Sequence, residues 1–249
     1  MTASISCAAH GDALDAAVAE ALDDPVRAAL LGPQARFAER RGRVLRYGFD
    51  VSPFVSLPPE PGPADWQDAA ALASADGTLL LTGPMPAPPD GLAELTDIAG
   101  YQLTGEDVAG QHDDEAVRLG PADVPEMLDL VRRTQPGPFL PRTVELGAYL
   151  GIRRGGALVA MAGERMRPPG WTEISAVCTD PAHQGQGLAG RLIRAVVAGV
   201  RERGERPFLH VADGNPAIHL YERLGFRIRR PVPFRIARLT APARVEPGS

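Results

Sequence analysis

An apolar strand that passes through a glycine-rich turn into an amphipathic helix leaves few folds open. Here the strand is Ile174-Ser175-Ala176-Val177-Cys178-Thr179, the connection Asp180-Pro181-Ala182-His183, and the turn Gln184-Gly185-Gln186-Gly187-Leu188-Ala189-Gly190. Leu188, Leu192, Ile193, Val196, Val197 and Val200 then fall three and four apart. That is the face of a buried helix, and the turn and the helix N-terminus together aim free amides where an anion such as phosphate is stabilised. A second strand is expected over residues 207–211. Residues 215–226 read as a short helix stopped by Gly225 and handed to another strand.

Gly185-Gln186-Gly187-Leu188-Ala189-Gly190 also satisfies a dinucleotide-binding fingerprint, with Asp213 near the place of a ribose-binding acid. Three features oppose that reading. The strand reaches the first glycine only through five intervening residues, antiparallel hairpins precede it, and 59 residues follow the loop. A dinucleotide fold cannot be finished in that space unless its strands came earlier. A P-loop fails because no Gly-Lys-Ser/Thr occurs.

Upstream, residues 12–31 are helical in pattern, interrupted near Asp24-Pro25, where proline fits the first turn of a second helix. Residues 43–47 alternate like a strand, 51–63 form a proline-rich loop, 66–73 a helix and 77–82 a buried strand. Residues 83–89 break structure, and 92–101 are expected to hold one more helix and strand. Polar residues 105–114 read as a linker. Beyond it come a strand over 116–119, a helix over 122–133, a stiff loop over 135–141, paired strands over 149–153 and 158–166, and a third over 171–179. The expected organisation is an accessory α/β domain over 1–112, a catalytic domain over 113–240 and a tail over 241–249.

Of 249 residues, 44% are hydrophobic and 23% charged, the balance of a globular chain, and no apolar run reaches the roughly 20 residues of a membrane helix. The first residues lack the basic and long apolar regions of a secretory signal, so the expected address is the cytoplasm. Cys7 and Cys178 make neither a metal site nor a disulfide framework. Every basic residue is arginine. Residues 1–113 hold 6 Arg against 17 acids, whereas 114–249 hold 20 Arg against 14. The basic half suits an anionic ligand, but its scattered arginines with few aromatics argue against nucleic acid, and no membrane partner is implied.

Gln184-Gly185-Gln186-Gly187-Leu188-Ala189 matches the Gln/Arg-x-x-Gly-x-Gly/Ala signature of the GNAT superfamily of acyl-CoA-dependent N-acyltransferases. Ala217-Ile218-His219-Leu220-Tyr221-Glu222-Arg223-Leu224-Gly225-Phe226 matches that family's A-I-x-L-Y-x-x-x-G-F segment. The chain resembles that family over residues 115–239, and residues 1–112 are reminiscent of the extra, degenerate half of two-part members. The resemblance implies an α+β fold, a mixed, mostly antiparallel twisted sheet flanked by helices, beside a second N-terminal α/β domain. It further implies acetyl-CoA as cosubstrate, no metal, a small-molecule or peptide amine acceptor, direct attack in a ternary complex, and a monomer or homodimer. Backbone of Val177, Cys178 and Thr179 would hold the pantetheine arm. Gln184, Gly185, Gln186, Gly187, Leu188, Ala189 and Gly190 would hold the pyrophosphate.

By the same resemblance Tyr221 is the acid for the leaving thiolate and Glu173 the base, directly or through water. For each the alternative is structural: a packed tyrosine, an exposed strand carboxylate. His210 is expected to be a core histidine with a proton relay as its alternative, His183 and His219 are expected to be peripheral, and Cys178 is expected to pack inertly. Asn215 stands one residue closer to Tyr221 than the family pattern sets it. Either the loop is remade there for the cofactor or Asn215 caps the helix. Phe139, Arg142 and Trp171 are candidate pocket residues. The competing reading is an acyl-CoA-binding sensor of the same fold without turnover.

Overall fold

The computed structural model describes residues 18–82, 88–90 and 92–240. Cys7, the start of the expected first helix, most of the 83–89 break and the tail over 241–249 lie outside them. In chain order the elements are α1 (Pro25–Leu31), β1 (Ala38–Arg41), β2 (Val44–Tyr47), β3 (Phe54–Ser56), α2 (Pro63–Ala71), β4 (Thr78–Thr82), β5 (Ala93–Ile98) and β6 (Gly100–Thr104). Then follow β7 (Val117–Leu119), α3 (Val124–Thr134), β8 (Tyr149–Arg154), β9 (Ala157–Glu164), β10 (Trp171–Thr179), α4 (Leu188–Glu202), β11 (Arg206–Ala212), α5 (Ala217–Leu224), β12 (Arg227–Pro231) and β13 (Phe234–Leu239).

Local chemistry sets several boundaries. Asp24 accepts the Arg27 amide at 3.0 Å and Pro25 occupies the first turn, so α1 starts where the proline signal puts it. Gly225, at φ +105°, ends α5 in the left-handed conformation, with its amide on the Glu222 carbonyl.

The strands form two sheets, ordered β1-β2-β3-β4-β13-β5 and β12-β6-β11-β10-β9-β8-β7. The fold is α+β with mixed sheets: β10–β11 and β3–β4 are parallel, and the other pairs antiparallel. Residues 92–104 hold two strands, not a helix and a strand. The Ala-Glu-Leu composition of residues 93–95 favours a helix, but β5 pairs along its length with β13, from Ala93↔Leu239 to Ile98↔Phe234. Tertiary pairing overrides so weak a local preference.

The sheets do not separate at residue 112. β6 joins the second sheet between β12 and β11, while β13 crosses back to sit between β4 and β5. Nor is the polar 105–114 segment a free tether. Val108 is buried in the core under α4, the Gln111 amide donates to the Arg194 carbonyl at 3.0 Å, and Asp113 pairs with Arg191 at 2.6 Å.

Among the described residues four apolar clusters hold the fold. One lies between the second sheet and α4, and a second joins α3 to β8, β9 and the end of β10. A third fills the junction of the two halves with Leu22, Leu30, Tyr47, Phe54, Trp171 and Phe208, and a fourth joins the first sheet to α2. Leu188, Leu192, Ile193, Val196, Val197 and Val200 of α4 are all buried. At about 1.5–3 kcal/mol for each buried side chain of this kind, that face anchors the helix and holds the preceding glycine turn in place.

Candidate active site

β10 and β11 pair for three positions only, Trp171↔Arg206, Thr172↔Pro207 and Glu173↔Phe208. Beyond Glu173 the strands part. β10 keeps its register with β9 only through a bulge between Ser175 and Cys178, where Ala176 takes a left-handed φ of +52°. A bulge bends its strand and raises the local twist, which turns β10 from β11 and opens a fork. The same irregularity re-sorts the side chains. Ile174 and Val177 pack toward α4, whereas Ala176 and Cys178 pack toward α3.

The glycine turn lies past the end of β10. Asp180 accepts the Ala182 amide at 2.9 Å, and Gln184 donates from its side chain to the Thr179 carbonyl at 3.4 Å. Gly185 and Gly187 have φ of +76° and +74°, conformations costly for any residue with a Cβ, and a Cβ built on either meets nothing within 4 Å. Leu188 is buried, while Gln184, Gly185, Gln186 and Gly187 are exposed. The amide of Arg191 donates to the Gly187 carbonyl at 3.1 Å, which leaves those of Leu188, Ala189 and Gly190 ahead of the first intrahelical bond. The result is an open cradle of amides at the positive end of a fifteen-residue helix. Arg191 itself is drawn aside to Asp113 and Glu115, so the backbone forms the anion site.

Tyr221 on α5 is 8% exposed, packs edge-on against Phe226 at 6.0 Å between centroids, and shares a core with Ile174, Leu188, Leu209 and Val211. Burial, with a smaller contribution from Cys178, pushes its pKa up to about 12. The phenol therefore keeps its proton at neutral pH. Cys178 is buried as well, its pKa pushed up to about 11 by desolvation, and the neutral thiol packs as a small apolar side chain. The Thr179 hydroxyl is buried and has no hydrogen-bond partner among the described residues. Asn215 accepts the Ala217 amide at 2.9 Å and so opens α5 as a capping side chain.

Glu173 occupies the crotch of the fork and is 0% exposed. Oε1 receives Arg165 Nη2 at 2.7 Å and pairs with His210 Nδ1 at 2.8 Å. Oε2 receives Arg165 Nε at 2.8 Å and the Met166 amide at 3.2 Å. Burial alone would raise this carboxyl's pKa, but the Arg165 charge and these hydrogen bonds together hold it far below the usual carboxylate range. Glu173, expected as the base with an exposed strand carboxylate as the alternative, is a buried, fully partnered anion. His210, with a side chain 1% exposed, is a core histidine engaged through both ring nitrogens, the second lying 3.2 Å from Gln102 Nε2.

Arg165 and Gln102 carry no local signal in the sequence. Arg165 follows β9, and Gln102 reaches the site because β6 lies beside β11. Of the candidate pocket residues, Phe139 packs edge-on against Tyr149, Arg142 pairs with Glu145 and Asp50, and Trp171 donates to the Val18 carbonyl at 2.8 Å. His219 lies at the surface beside Glu222, and His183 sits at the turn near Asp180.

A fork between parallel strands that leads to an amide cradle at a helix N-terminus defines an acyl-CoA-dependent transferase fold, and known proteins agree. Residues 149–233 match the family described as FR47-like protein. A putative acetyltransferase from the GNAT family of Novosphingobium aromaticivorans is 39% identical, its match covering 88% of this chain and 99% of that one, with a TM-score of 0.80. This chain belongs to the GNAT acetyltransferase superfamily. A GCN5-related N-acetyltransferase from Kribbella flavida shares the fold at 18% identity, over 87% of this chain and 96% of that one, with a TM-score of 0.56. The N-alpha-acetyltransferase RimI of Mycobacterium tuberculosis is 39% identical over 83 residues, 32% of this chain and 51% of that protein. The match thus spans about half the length of that curated relative.

Proposed function

We propose that this acetyltransferase moves an acetyl group from acetyl-CoA to a primary amine by direct attack within the fork. The observation that carries the reading is the fork itself, because the parting of β10 and β11 after Glu173 frees strand backbone beside the turn that gathers the unpaired amides. The residues present fit the cosubstrate. Main-chain groups of Val177, Cys178 and Thr179 would hold the pantetheine arm as an added strand would be held. The amides of Gln186 through Gly190 would hold the pyrophosphate, with Gln184 and Gly185 shaping the turn and open space at both glycines. When bound, acetyl-CoA supplies an activated acyl carbonyl and a thiolate leaving group.

Tyr221 holds a proton that its buried setting keeps bound at neutral pH, the property required of the group that protonates a departing thiolate. Glu173, proposed from sequence as the base, has its oxygens committed to Arg165, His210 and Met166. We therefore assign it to positioning: it braces the crotch of the fork, and the attacking amine loses its proton to water in the open site. Asn215 supports α5 from its cap. A peptide N-terminus is one acceptor class, favoured by the partial likeness to the N-alpha-acetyltransferase RimI.

The test is release of free CoA with a panel of peptide and small-molecule amines, comparing wild type with Tyr221→Phe. Loss of kcat by about 10²–10⁴-fold with acetyl-CoA affinity retained is the expected result. Unchanged turnover in Tyr221→Phe removes the tyrosine from the mechanism. Binding of acetyl-CoA without turnover of any amine favours the sensor reading.

A further inference from the structure

Glu173, His210, Gln102 and Arg229 stand on four neighbouring strands, β10, β11, β6 and β12. His210 and Gln102 are directly opposed in the register of β11 and β6. Arg229 falls at the bulge between Ile228 and Arg230 on β12, a feature that re-aims side chains. From there its Nη1 donates to Gln102 Oε1 at 2.9 Å, and its Nη2 pairs with Asp23 at 2.7 Å.

Because the arginine takes the amide oxygen, Gln102 turns its NH₂ toward the Leu22 carbonyl at 2.9 Å and His210 Nε2 at 3.2 Å. The flipped amide would set NH₂ against guanidinium and oxygen against carbonyl oxygen, both repulsive. His210 Nε2 therefore accepts. In the neutral ring the proton then sits on Nδ1, aimed at Glu173 Oε1. Arg165 lies beyond Glu173, and the rings of Phe208 and Phe234 flank the imidazole with centroids at 5.6 and 5.7 Å.

We propose that Gln102 is a positioning residue of the transfer site. Together with the Glu173 carboxylate on the other ring nitrogen it holds His210 as the Nδ1–H tautomer, so that His210 donates to Glu173 and ties β11 to β10 where their backbone pairing stops. The opposite tautomer would set an N–H of the ring against the Gln102 NH₂ and a bare Nδ1 against the carboxylate, and the brace would be lost. The width of the fork thus depends on a glutamine supplied by β6. The link to catalysis rests on the fork being the thioester site; the position of the proton does not.

The experiment is long-range proton–nitrogen NMR of protein labelled at histidine nitrogen, at mildly alkaline pH, with His210 assigned by its loss in His210→Gln. The wild-type ring is expected to carry its proton on Nδ1. Gln102→Met should leave the proton on Nδ1, where the Glu173 carboxylate still favours it, but should move the Nε2 resonance to that of an unbonded ring nitrogen and raise KM for acetyl-CoA about tenfold, the weight of one buried hydrogen bond, with kcat within about twofold. Gln102→Asn, whose side chain is one methylene shorter, should reproduce the spectral change and guards against a poorly folding methionine variant. A wild-type ring protonated on Nε2, or an Nε2 resonance unmoved in both variants, overturns the proposal. An Nε2 resonance that moves while KM does not overturns the brace. Failure of wild type to bind acetyl-CoA at all, with the tautomer as expected, overturns the fork as thioester site and leaves the proton assignment standing.

Discussion

Replacing Glu173 with glutamine separates a brace from a base. The substitution keeps the shape of the side chain but removes its charge and sets an NH₂ among donors from Arg165, His210 and Met166. Arg165, whose side chain is 9% exposed, is left as a buried cation without its counterion. Breaking a buried ion pair by removing one partner costs about 3–5 kcal/mol. At about 2–4 °C per kcal/mol for a chain of this size, Tm should fall by roughly 6–20 °C in scanning calorimetry. Urea unfolding should show the same loss through its midpoint, with an unchanged slope. The double variant Glu173→Met with Arg165→Met should recover much of the stability, since two apolar side chains leave no orphaned charge. At a temperature where Glu173→Gln is folded, its kcat should keep the wild-type dependence on pH. A variant within about 2 °C of wild type in Tm that has lost turnover would refute this reasoning, because it would describe a carboxylate free to take a proton.

Because the pKa of Glu173 is depressed in the folded protein, its contribution is complete above the unfolded value near 4.5 and is lost as pH falls below it. Midpoints measured down the acid limb should drop more steeply for wild type than for the double methionine variant. Gly187→Val forces a β-branched residue into a left-handed φ of +74° and sets its side chain in the open cradle; stability should fall by about 1–2 kcal/mol and acetyl-CoA affinity at least about tenfold, with unchanged affinity in calorimetric titration counting against the loop. Cys178, with its pKa pushed up to about 11, should resist iodoacetamide at neutral pH until the protein is denatured, and rapid native alkylation would contradict its burial. Acetyl-CoA at about 100 times its Kd should stabilise the fold by about 2.7 kcal/mol while NADH does nothing, and a shift with NADH would revive the dinucleotide alternative.

The residues that advertised themselves in the sequence are those whose work is local. The glycine turn, the apolar stripe of α4 and the Gly225 stop each depend on neighbours a few positions away, and β10 runs from Trp171 to Thr179 as its pattern predicts. Glu173 was legible as a carboxylate on that strand, but its burial was not. Its partners come from Arg165 across a turn and His210 on another strand, and neither spacing is periodic. Gln102 was hidden for the same reason: amide orientation is decided by Arg229, far along the chain. The start of β5 reads as a helix because the strand that holds it, β13, lies beyond residue 230.

The crossing of β13 into the first sheet orders events during synthesis. Among the described residues β5 pairs in its sheet with β13 alone, and β13 is also what joins it to β4. A ribosome that has delivered β1 to β5 has therefore made nearly every strand of that sheet without the one that closes it. Residues 234–239 must emerge before the earliest-made sheet can finish, so the half synthesised first completes its folding last. Until then β4 and β5 wait with open edges, the stage at which this chain has most need of a chaperone.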